Sequence, residues 1–286
     1  MQQIKNAGKS LETIQKNNIS VSIDSLGAKV LSINIDGKNI LFYDKNDIKH
    51  SGIPICMPFF GPLRDGILKV DDEEYKIGQH GFFRDSEFDM YNAGGKIVAI
   101  LKSSNETMKF WPFQFNFRAT FEIVENGIKM NFVFKNKDTQ PMTIAPGFHP
   151  YFAIKNRDEL YITTKAKTGN DSLNSFTETK LEESGVFEIV EDKDDIKKLH
   201  IINSPNMQLI NHQLNNTVII PGDDSEITLI SDMKIFNRMT VWRPKTKVDY
   251  ICVEPSFVEN AVNTGNGIEI ESGKEFKTSI SIIKCK

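Results

Sequence analysis

Two segments of the chain hold an ionisable side chain in a stiff, apolar setting that suits proton transfer. His149 stands among aromatic residues and prolines in the run 145–152, where a rigid backbone would fix the ring orientation that a general acid requires. Glu254 ends an apolar run and precedes Pro255, where a carboxylate is costly to bury unless it is paired or used in chemistry. Taken alone, each residue also has a structural explanation: a satisfied core histidine, or a strand-end glutamate that reaches solvent.

Two more segments interrupt the strand pattern with glycine, proline and basic residues. Residues 50–66 contain three prolines and three glycines, and because proline donates no ladder hydrogen bond they cannot form a regular central strand. Arg64, near the end of this segment, suits either a pocket wall or a surface turn. In residues 78–85, His80 lies between glycines and is followed by two phenylalanines. The competing interpretation of His80 is a structural histidine.

These segments must be positioned by the rest of the chain, which contains many short runs of apolar or alternating apolar and polar residues. Such runs predict β-strands. The predicted strands are 19–24, 30–35, 38–42, 96–101, 115–124, 128–134, 160–164, 217–220, 226–230, 239–242, 250–254 and 276–283. Asp36-Gly37 and Glu125-Asn126-Gly127 predict hairpin turns. Residues 184–198 are highly charged and favour a solvated loop over a short helix. The pattern predicts one all-β domain over residues 1–286, an antiparallel sandwich with few short helices.

Composition and charge argue against several classes of partner. The 286 residues include 35 basic and 38 acidic side chains, for a net charge of −3, which gives no electrostatic reason to expect nucleic acid or an anionic membrane. No apolar run approaches the roughly 20 residues that span a bilayer, and the N-terminal residues lack the apolar core of a signal peptide. We therefore expect a cytoplasmic protein, either a monomer or a homodimer.

The cysteines and the remaining histidines give no metal motif in sequence. The three cysteines, Cys56, Cys252 and Cys285, are far apart, so neither a zinc site nor a disulfide framework is indicated. A metal site would require ligands brought together by tertiary structure, and we expect no metal and no cofactor. No phosphate-binding glycine loop or serine nucleophile elbow is present. His200 follows a lysine-rich stretch typical of a surface, whereas His212 is ambiguous.

Together and in this order, these segments resemble the aldose 1-epimerase family, also called galactose mutarotase-like proteins. The resemblance rests on Gln79-His80-Gly81-Phe82 with Arg84, on residues 147–152, on Trp242-Arg243-Pro244, on Cys252-Val253-Glu254-Pro255, and on residues 260–265 and 270–275. It extends from about residue 15 to the C-terminus. The family's fold is a large antiparallel β-sandwich with a sugar site on its concave face.

The resemblance also implies roles for individual residues. His149 matches the general acid at the ring oxygen, Glu254 matches the base that removes the anomeric hydroxyl proton, and His80 matches a second histidine near these oxygens. Arg64 lies near the position of a family arginine that binds sugar hydroxyls, and Arg84 is the alternative. The other predicted substrate-binding residues are Gln79, Tyr151, Trp242 and Asn216. The aromatic residues among them are equally plausible as sandwich core.

The sequence departs from the family at two places that bear on the substrate. Many galactose mutarotases supply an aspartate where this chain offers Asn215 or Asn216 and no acid. The hexose-6-phosphate branch has an arginine where this chain has His50 and Ser51, and a neutral histidine replaces a bidentate phosphate clamp poorly. We therefore expect a free hexose as substrate. The alternatives are a hexose 6-phosphate and, in another class, a non-catalytic carbohydrate-binding module.

Overall fold

The computed structural model describes residues 8–172, 176–223 and 225–285. The strands in chain order are β1 (Leu11–Lys16), β2 (Ile19–Asp24), β3 (Lys29–Ile35), β4 (Lys38–Asn39), β5 (Ile55–Cys56), β6 (Ile67–Val70), β7 (Glu73–Lys76), β8 (Asp89–Asn92), β9 (Lys96–Lys102), β10 (Phe115–Val124), β11 (Gly127–Asn136), β12 (Met142–Ile144), β13 (Gly147–Phe148), β14 (Tyr151–Ala153), β15 (Leu160–Thr164), β16 (Thr168–Asp171), β17 (Thr177–Lys180), β18 (Phe187–Lys193), β19 (Ile196–Ile201), β20 (Asn206–Ile210), β21 (Asn216–Pro221), β22 (Ile227–Ser231), β23 (Arg238–Trp242), β24 (Tyr250–Ser256), β25 (Ile268–Ile270) and β26 (Glu275–Lys284).

Helical structure is sparse in the described ranges. Their one α-helix is α1 (Ala261–Thr264). Single-turn 3₁₀ helices occur at Ile48–His50, Arg64–Gly66, Phe83–Asp85, Thr107–Lys109, Arg157–Glu159 and Leu181–Glu183. None of the helices in these ranges has the length and apolar character needed to cross a membrane.

Two large antiparallel sheets form the body of the protein. One has ten strands in the order β18-β19-β15-β21-β22-β26-β11-β10-β9-β8. The other has eight, in the order β17-β16-β20-β23-β24-β13-β5, with β14 also paired to β24. A four-stranded sheet, β1 to β4, and two small ladders complete the architecture. The predicted all-β antiparallel sandwich is confirmed.

Phenylalanine fills the space between the two large sheets. Along β10 and β11 every second residue is apolar and points to one face, as in a half-buried strand. The buried phenylalanines on this face are Phe115, Phe117, Phe121, Phe132 and Phe134. The ring centroid of Phe132 lies 4.7 Å from that of Phe148 on the opposite sheet. Burying such large rings stabilises the contact between the sheets. It therefore also fixes the position of the facing sheet next to His149.

The charged stretch 184–198 differs from the predicted loop. It contains β18 and the start of β19, joined at Asp194 and Asp195, which both have positive φ, as a type I′ hairpin turn requires. Leu199 and Ile201 on β19 are buried. The expectation was wrong because charge density describes only the outer face of a strand, whereas the inner apolar residues decide whether it joins a sheet.

Most other predicted strands agree with the structure to within one or two residues, and the two hairpin turns lie where the sequence placed them. The strand predicted at 38–42 is shorter, since β4 covers only Lys38–Asn39. Residues 50–66 are irregular apart from β5 and one 3₁₀ turn, as their prolines predicted. This irregular segment forms part of the rim of the pocket described next.

Candidate active site

One face of the eight-stranded sheet carries polar side chains in two parallel rows. Directly paired residues on neighbouring strands point to the same side of a sheet. The first row is Gln208, Thr240 and Glu254, and the second is Asn206, Trp242, Cys252 and Tyr151. The intervening residues of these strands, such as Met239, Val241, Ile251 and Val253, are buried in the core. Strand alternation therefore separates an apolar face that holds the fold from a polar face that forms a pocket.

His149 and Glu254 meet at the base of this pocket. His149 Nε2 lies 3.2 Å from Glu254 Oε1, and the two residues are only 9% and 2% exposed. The Tyr151 ring stacks on His149, with centroids 4.7 Å apart and planes 19° apart. The His149 backbone N–H donates to the Pro54 carbonyl at 3.1 Å. These contacts hold the imidazole in one orientation next to the carboxyl group.

The pair also keeps hydrogen-bonding capacity free. Within the described residues, Glu254 Oε1 and His149 Nδ1 are buried without a hydrogen-bond partner. Buried polar groups are normally satisfied. Two such atoms at the base of a pocket are what a site designed to receive a ligand's hydroxyl groups would present.

Burial controls the protonation of this pair. Desolvation, followed by the charge of Arg84, lowers the pKa of His149 to about 3. Desolvation raises the pKa of Glu254 well above its usual range, with a smaller contribution from Glu259. Since burial penalises the charged form of each group, both shifts favour a protonated carboxyl group beside a neutral imidazole. Transfer of that proton from the carboxyl group to the imidazole creates a base and an acid together.

His80 lines another side of the pocket, close to His149. Its Nδ1 accepts a hydrogen bond from the Gly61 N–H at 3.1 Å, so the neutral ring carries its proton on Nε2 and can donate from there. The rings of His80 and His149 lie 5.6 Å apart, edge to face. Burial, followed by the charges of His149 and Arg84, keeps the pKa of His80 well below its usual value. His80 is therefore a neutral donor.

The backbone at His80 is tightly specified. His80 has φ of +67°, and Gly81 has φ of +68°. A Cβ at Gly81 would lie 2.2 Å from the Met57 carbonyl oxygen, so only glycine fits there. The His-Gly pair in the sequence thus serves to turn the His80 ring toward the pocket.

The pocket encloses about 270 Å³. Seven of the nine predicted site residues contribute to its lining: His80, His149, Glu254, Gln79, Arg84, Tyr151 and Trp242. Lys49, His50, Phe60, Asn206, Thr240 and Glu259 complete the lining. Residues from six separate segments of the chain, 49–60, 79–84, 149–151, 206, 240–242 and 254–259, thus meet at one site.

Arg64 and Asn216 are not brought to the pocket. Arg64 is exposed on a 3₁₀ turn, where its backbone N–H donates to Asn260 Oδ1 at 3.3 Å. Asn216 begins β21, in the ten-stranded sheet, and pairs with Ile230. The arginine that lines the pocket is Arg84, whose Nε lies 3.5 Å from Asp85 Oδ2. Asn216 thus lies in the other large sheet, whereas Asn206 on β20 of the eight-stranded sheet lines the pocket.

Glu259 is the main residue that sequence reasoning missed. It accepts a hydrogen bond from Gln208 Nε2 at 2.8 Å and gives the pocket a second carboxyl group. Burial raises its pKa to about 6, while the bond from Gln208 opposes that shift. The alternation in Asn206-Met207-Gln208-Leu209 would have placed Asn206 and Gln208 on one face. No local pattern marks Glu259.

Comparisons with known proteins identify the family of this chain. Residues 10–282 match the family model described as aldose 1-epimerase. A protein of Cenchrus ciliaris with the provisional name glucose-6-phosphate 1-epimerase is 21% identical over 278 residues, which cover 87% of this chain and 76% of that protein.

Two solved structures share the fold. The Slr1438 protein of Synechocystis sp. PCC 6803 superposes with a TM-score of 0.85 at 18% identity, with 99% of each chain covered. A galactose mutarotase-like protein of Lactobacillus casei ATCC 334 superposes with a TM-score of 0.81 at 19% identity, over 96% of this chain and 100% of that one. Because the family model spans nearly the whole sequence, the chain belongs to the aldose 1-epimerase family, whose members are carbohydrate epimerases.

Proposed function

We propose that this protein interconverts the α and β anomers of a free hexose, with Glu254 as general base and His149 as general acid. The observation that carries the proposal is the buried pair of His149 Nε2 and Glu254 Oε1, 3.2 Å apart at the base of the pocket. Opening a cyclic hemiacetal requires one proton to leave O1 and another to reach the ring oxygen O5. A base and an acid this close together can act on both oxygens of one anomeric centre.

The proposed reaction begins once the carboxyl proton of Glu254 has moved to the imidazole of His149. In the form with ionised Glu254 and protonated His149, the carboxylate accepts the O1 proton while the imidazolium protonates O5, and the C1–O5 bond breaks. Rotation about C1–C2 turns the aldehyde over, and O5 attacks its other face. The same two groups return the protons in reverse. His80, as a donor from Nε2, stabilises negative charge developing on the sugar oxygens.

The lining of the pocket favours an uncharged sugar. The carboxylates of Glu254 and Glu259 and the amides of Gln79 and Asn206 are groups that bind hydroxyls. With a pKa of about 6, Glu259 is mostly ionised at neutral pH. A carboxylate in the pocket accepts hydrogen bonds from hydroxyls but repels a phosphate.

A hexose 6-phosphate is the second candidate substrate, supported by one feature of the pocket. Lys49, His50 and Arg84 all contribute to the lining. Two of them are engaged within the protein, since His50 Nδ1 lies 2.8 Å from Asp47 Oδ2 and Arg84 Nε lies 3.5 Å from Asp85 Oδ2. The provisional name of the Cenchrus ciliaris relative points to the same substrate. Lys49, which is exposed, is the side chain most able to move onto a phosphate.

Polarimetry tests the proposal directly. Freshly dissolved α-glucose, α-galactose and α-glucose 6-phosphate are followed in weak buffer with the wild type and with Glu254→Gln. We expect the wild type to accelerate mutarotation of a free hexose most, and Glu254→Gln to lose roughly 10²–10⁴-fold of that rate. Glu271→Gln, an exposed change outside the pocket, is the matched control.

Each contrary outcome has a definite meaning. Preference for the 6-phosphate, lost in Lys49→Gln, would replace the free hexose with the phosphorylated one. A folded wild type that binds sugar but accelerates none of these reactions would contradict the proposed activity and favour a carbohydrate-binding module.

A further inference from the structure

Beneath the pocket lies a third polar side chain that the proposed reaction does not use. Cys252 is fully buried and sits two residues before Glu254 on β24, so both side chains point to the same face of the sheet. Its sulfur, a ring nitrogen of His149 and a carboxylate oxygen of Glu254 all lie within 4.8 Å of one another. Tertiary structure has therefore brought His149 to Cys252 and Glu254, two donors that strand alternation already places on one face.

We infer that this trio is an inhibitory site for Zn²⁺, which enters through the pocket and occupies the acid and the base together. Thiolate, imidazole and carboxylate are the ligands that zinc takes in proteins, at about 2.3 Å for sulfur and about 2.0–2.2 Å for nitrogen and oxygen. Ligand atoms of a tetrahedral zinc ion are thus roughly 3.5 Å apart. Side-chain rotations that shorten the distances between the three donor atoms by about 1 Å would reach that geometry.

The free hydrogen-bonding capacity of the trio supports a ligand there. His149 and Glu254 are each more than nine-tenths buried. Among the described residues, His149 Nδ1 and Glu254 Oε1 have no hydrogen-bond partner. Burial raises the pKa of the Cys252 thiol and of the Glu254 carboxyl group, so Zn²⁺ binding releases their protons to solvent. The resulting thiolate and carboxylate offset the charge of the divalent cation, and the imidazole binds as a neutral ligand. The open pocket leaves the fourth position to water or to a sugar oxygen, as in zinc sites with three protein ligands.

The ligand set also selects among cations. Sulfur and nitrogen donors favour borderline ions such as Zn²⁺ and Co²⁺ over Mg²⁺, which prefers oxygen ligands. Inhibition by Zn²⁺ but not by Mg²⁺ is therefore expected. The inhibition itself depends on the proposed mutarotation, whereas binding does not, so the two are tested separately.

The binding test uses Co²⁺ as a spectroscopic probe in a Cys285→Ser background, which removes the exposed thiol. We expect a near-ultraviolet thiolate-to-Co²⁺ charge-transfer band that Zn²⁺ displaces. Cys252→Ser should abolish the band, and Cys56→Ser, which changes the other buried cysteine, should keep it. Absence of the band in the background protein with excess Co²⁺, or its persistence in Cys252→Ser, would overturn the inference whether or not the protein is an epimerase.

The inhibition test compares the same proteins by polarimetry after chelator treatment. We expect Cys252→Ser to keep basal mutarotation and to need at least ten-fold more Zn²⁺ for half inhibition than the background protein. Cys56→Ser should keep the original sensitivity. Equal sensitivity of Cys252→Ser and the background would contradict the assignment. Cys252→Ala replaces the serine variant if circular dichroism shows that the latter does not fold.

Discussion

Two buried histidines in this protein have similar burial but different surroundings. His212 is fully buried, with Nδ1 2.8 Å from Thr164 Oγ1 and Nε2 2.7 Å from Thr217 Oγ1. His149 has a free Nδ1 among the described residues and faces Glu254 in an open pocket. Burial lowers the pKa of both, to about 4 for His212 and about 3 for His149.

The comparison shows that a perturbed pKa does not by itself mark a catalytic residue. At His212 both ring nitrogens are satisfied, and Thr164 Oγ1 also accepts the Ala166 N–H at 2.9 Å, so the cluster is closed. At His149 the surroundings fix the ring but leave polar atoms for a ligand. The pattern of satisfied and free hydrogen-bonding atoms separates the structural histidine from the candidate acid.

The largest expected effect is on activity, at His149. His149→Gln should reduce mutarotation by roughly 10²–10⁴-fold, because an amide cannot exchange a proton with O5. The free energy of unfolding should change by less than about 1 kcal/mol, because the ring's Nδ1 has no partner to lose. Polarimetry and urea unfolding measure the two quantities. His200→Gln, in the other large sheet, is the control, and retained activity in His149→Gln would refute the assigned acid.

At His212 we expect the reverse. His212→Ala should lower the free energy of unfolding by about 3 kcal/mol, because the hydroxyls of Thr164 and Thr217 lose a buried partner. Mutarotation per folded molecule should stay within two-fold of the wild type. Urea unfolding, combined with polarimetry on the folded fraction, measures both. A strong loss of activity with unchanged stability would remove the distinction between the two histidines.

The third prediction concerns acid. The pKa of His212 is about 4 in the folded protein, against an ordinary value of 6.5, so between these values the unfolded chain binds a proton that the folded protein does not. The His212 contribution to stability is complete above pH 6.5 and is lost as pH falls toward 4, by up to about 1.4 kcal/mol per pH unit. In His212→Gln the pH dependence of the free energy of unfolding should correspond to the uptake of about one proton fewer on unfolding. Urea unfolding at several pH values measures this dependence.

Burial also lowers the pKa of His149, so acid destabilises the folded protein through this residue as well. Part of the acid sensitivity should therefore remain in His212→Gln. An identical pH slope in the wild type and in His212→Gln would contradict the neutral, buried state of His212.

The smallest effect is expected at Glu259. Glu259→Gln keeps an acceptor for Gln208 but removes the charge that helps to raise the pKa of Glu254. We expect kcat/KM to fall by less than about ten-fold and the alkaline limb of the pH–rate profile to move to lower pH. Glu271→Gln is the control. An unmoved alkaline limb would show that the two pocket carboxyl groups are not coupled.

Sequence alone predicted the class of fold and most of the residues in the pocket. The period-two pattern of β10 and β11 predicted two half-buried strands, because alternation along one strand is a local property. The His80, His149 and Glu254 motifs were identified by their unusual surroundings. Asn216 was predicted from the family resemblance, whereas Asn206 lines the pocket, because the sheet that a strand joins is not a local property of the sequence. Glu259 gave no local signal.

Tertiary structure alone decided how these parts meet. The sequence determined which residues can face the same side of a strand and where the chain must bend. It did not determine that β20, β23 and β24 are neighbours, or that His149 would approach Glu254 to 3.2 Å. Long-range packing decides those distances and the partners of His212. It also decides that Arg84 rather than Arg64 lines the pocket, and that Cys252 approaches His149. Strand order and register are set by burial of the whole core, which no single segment of the sequence contains.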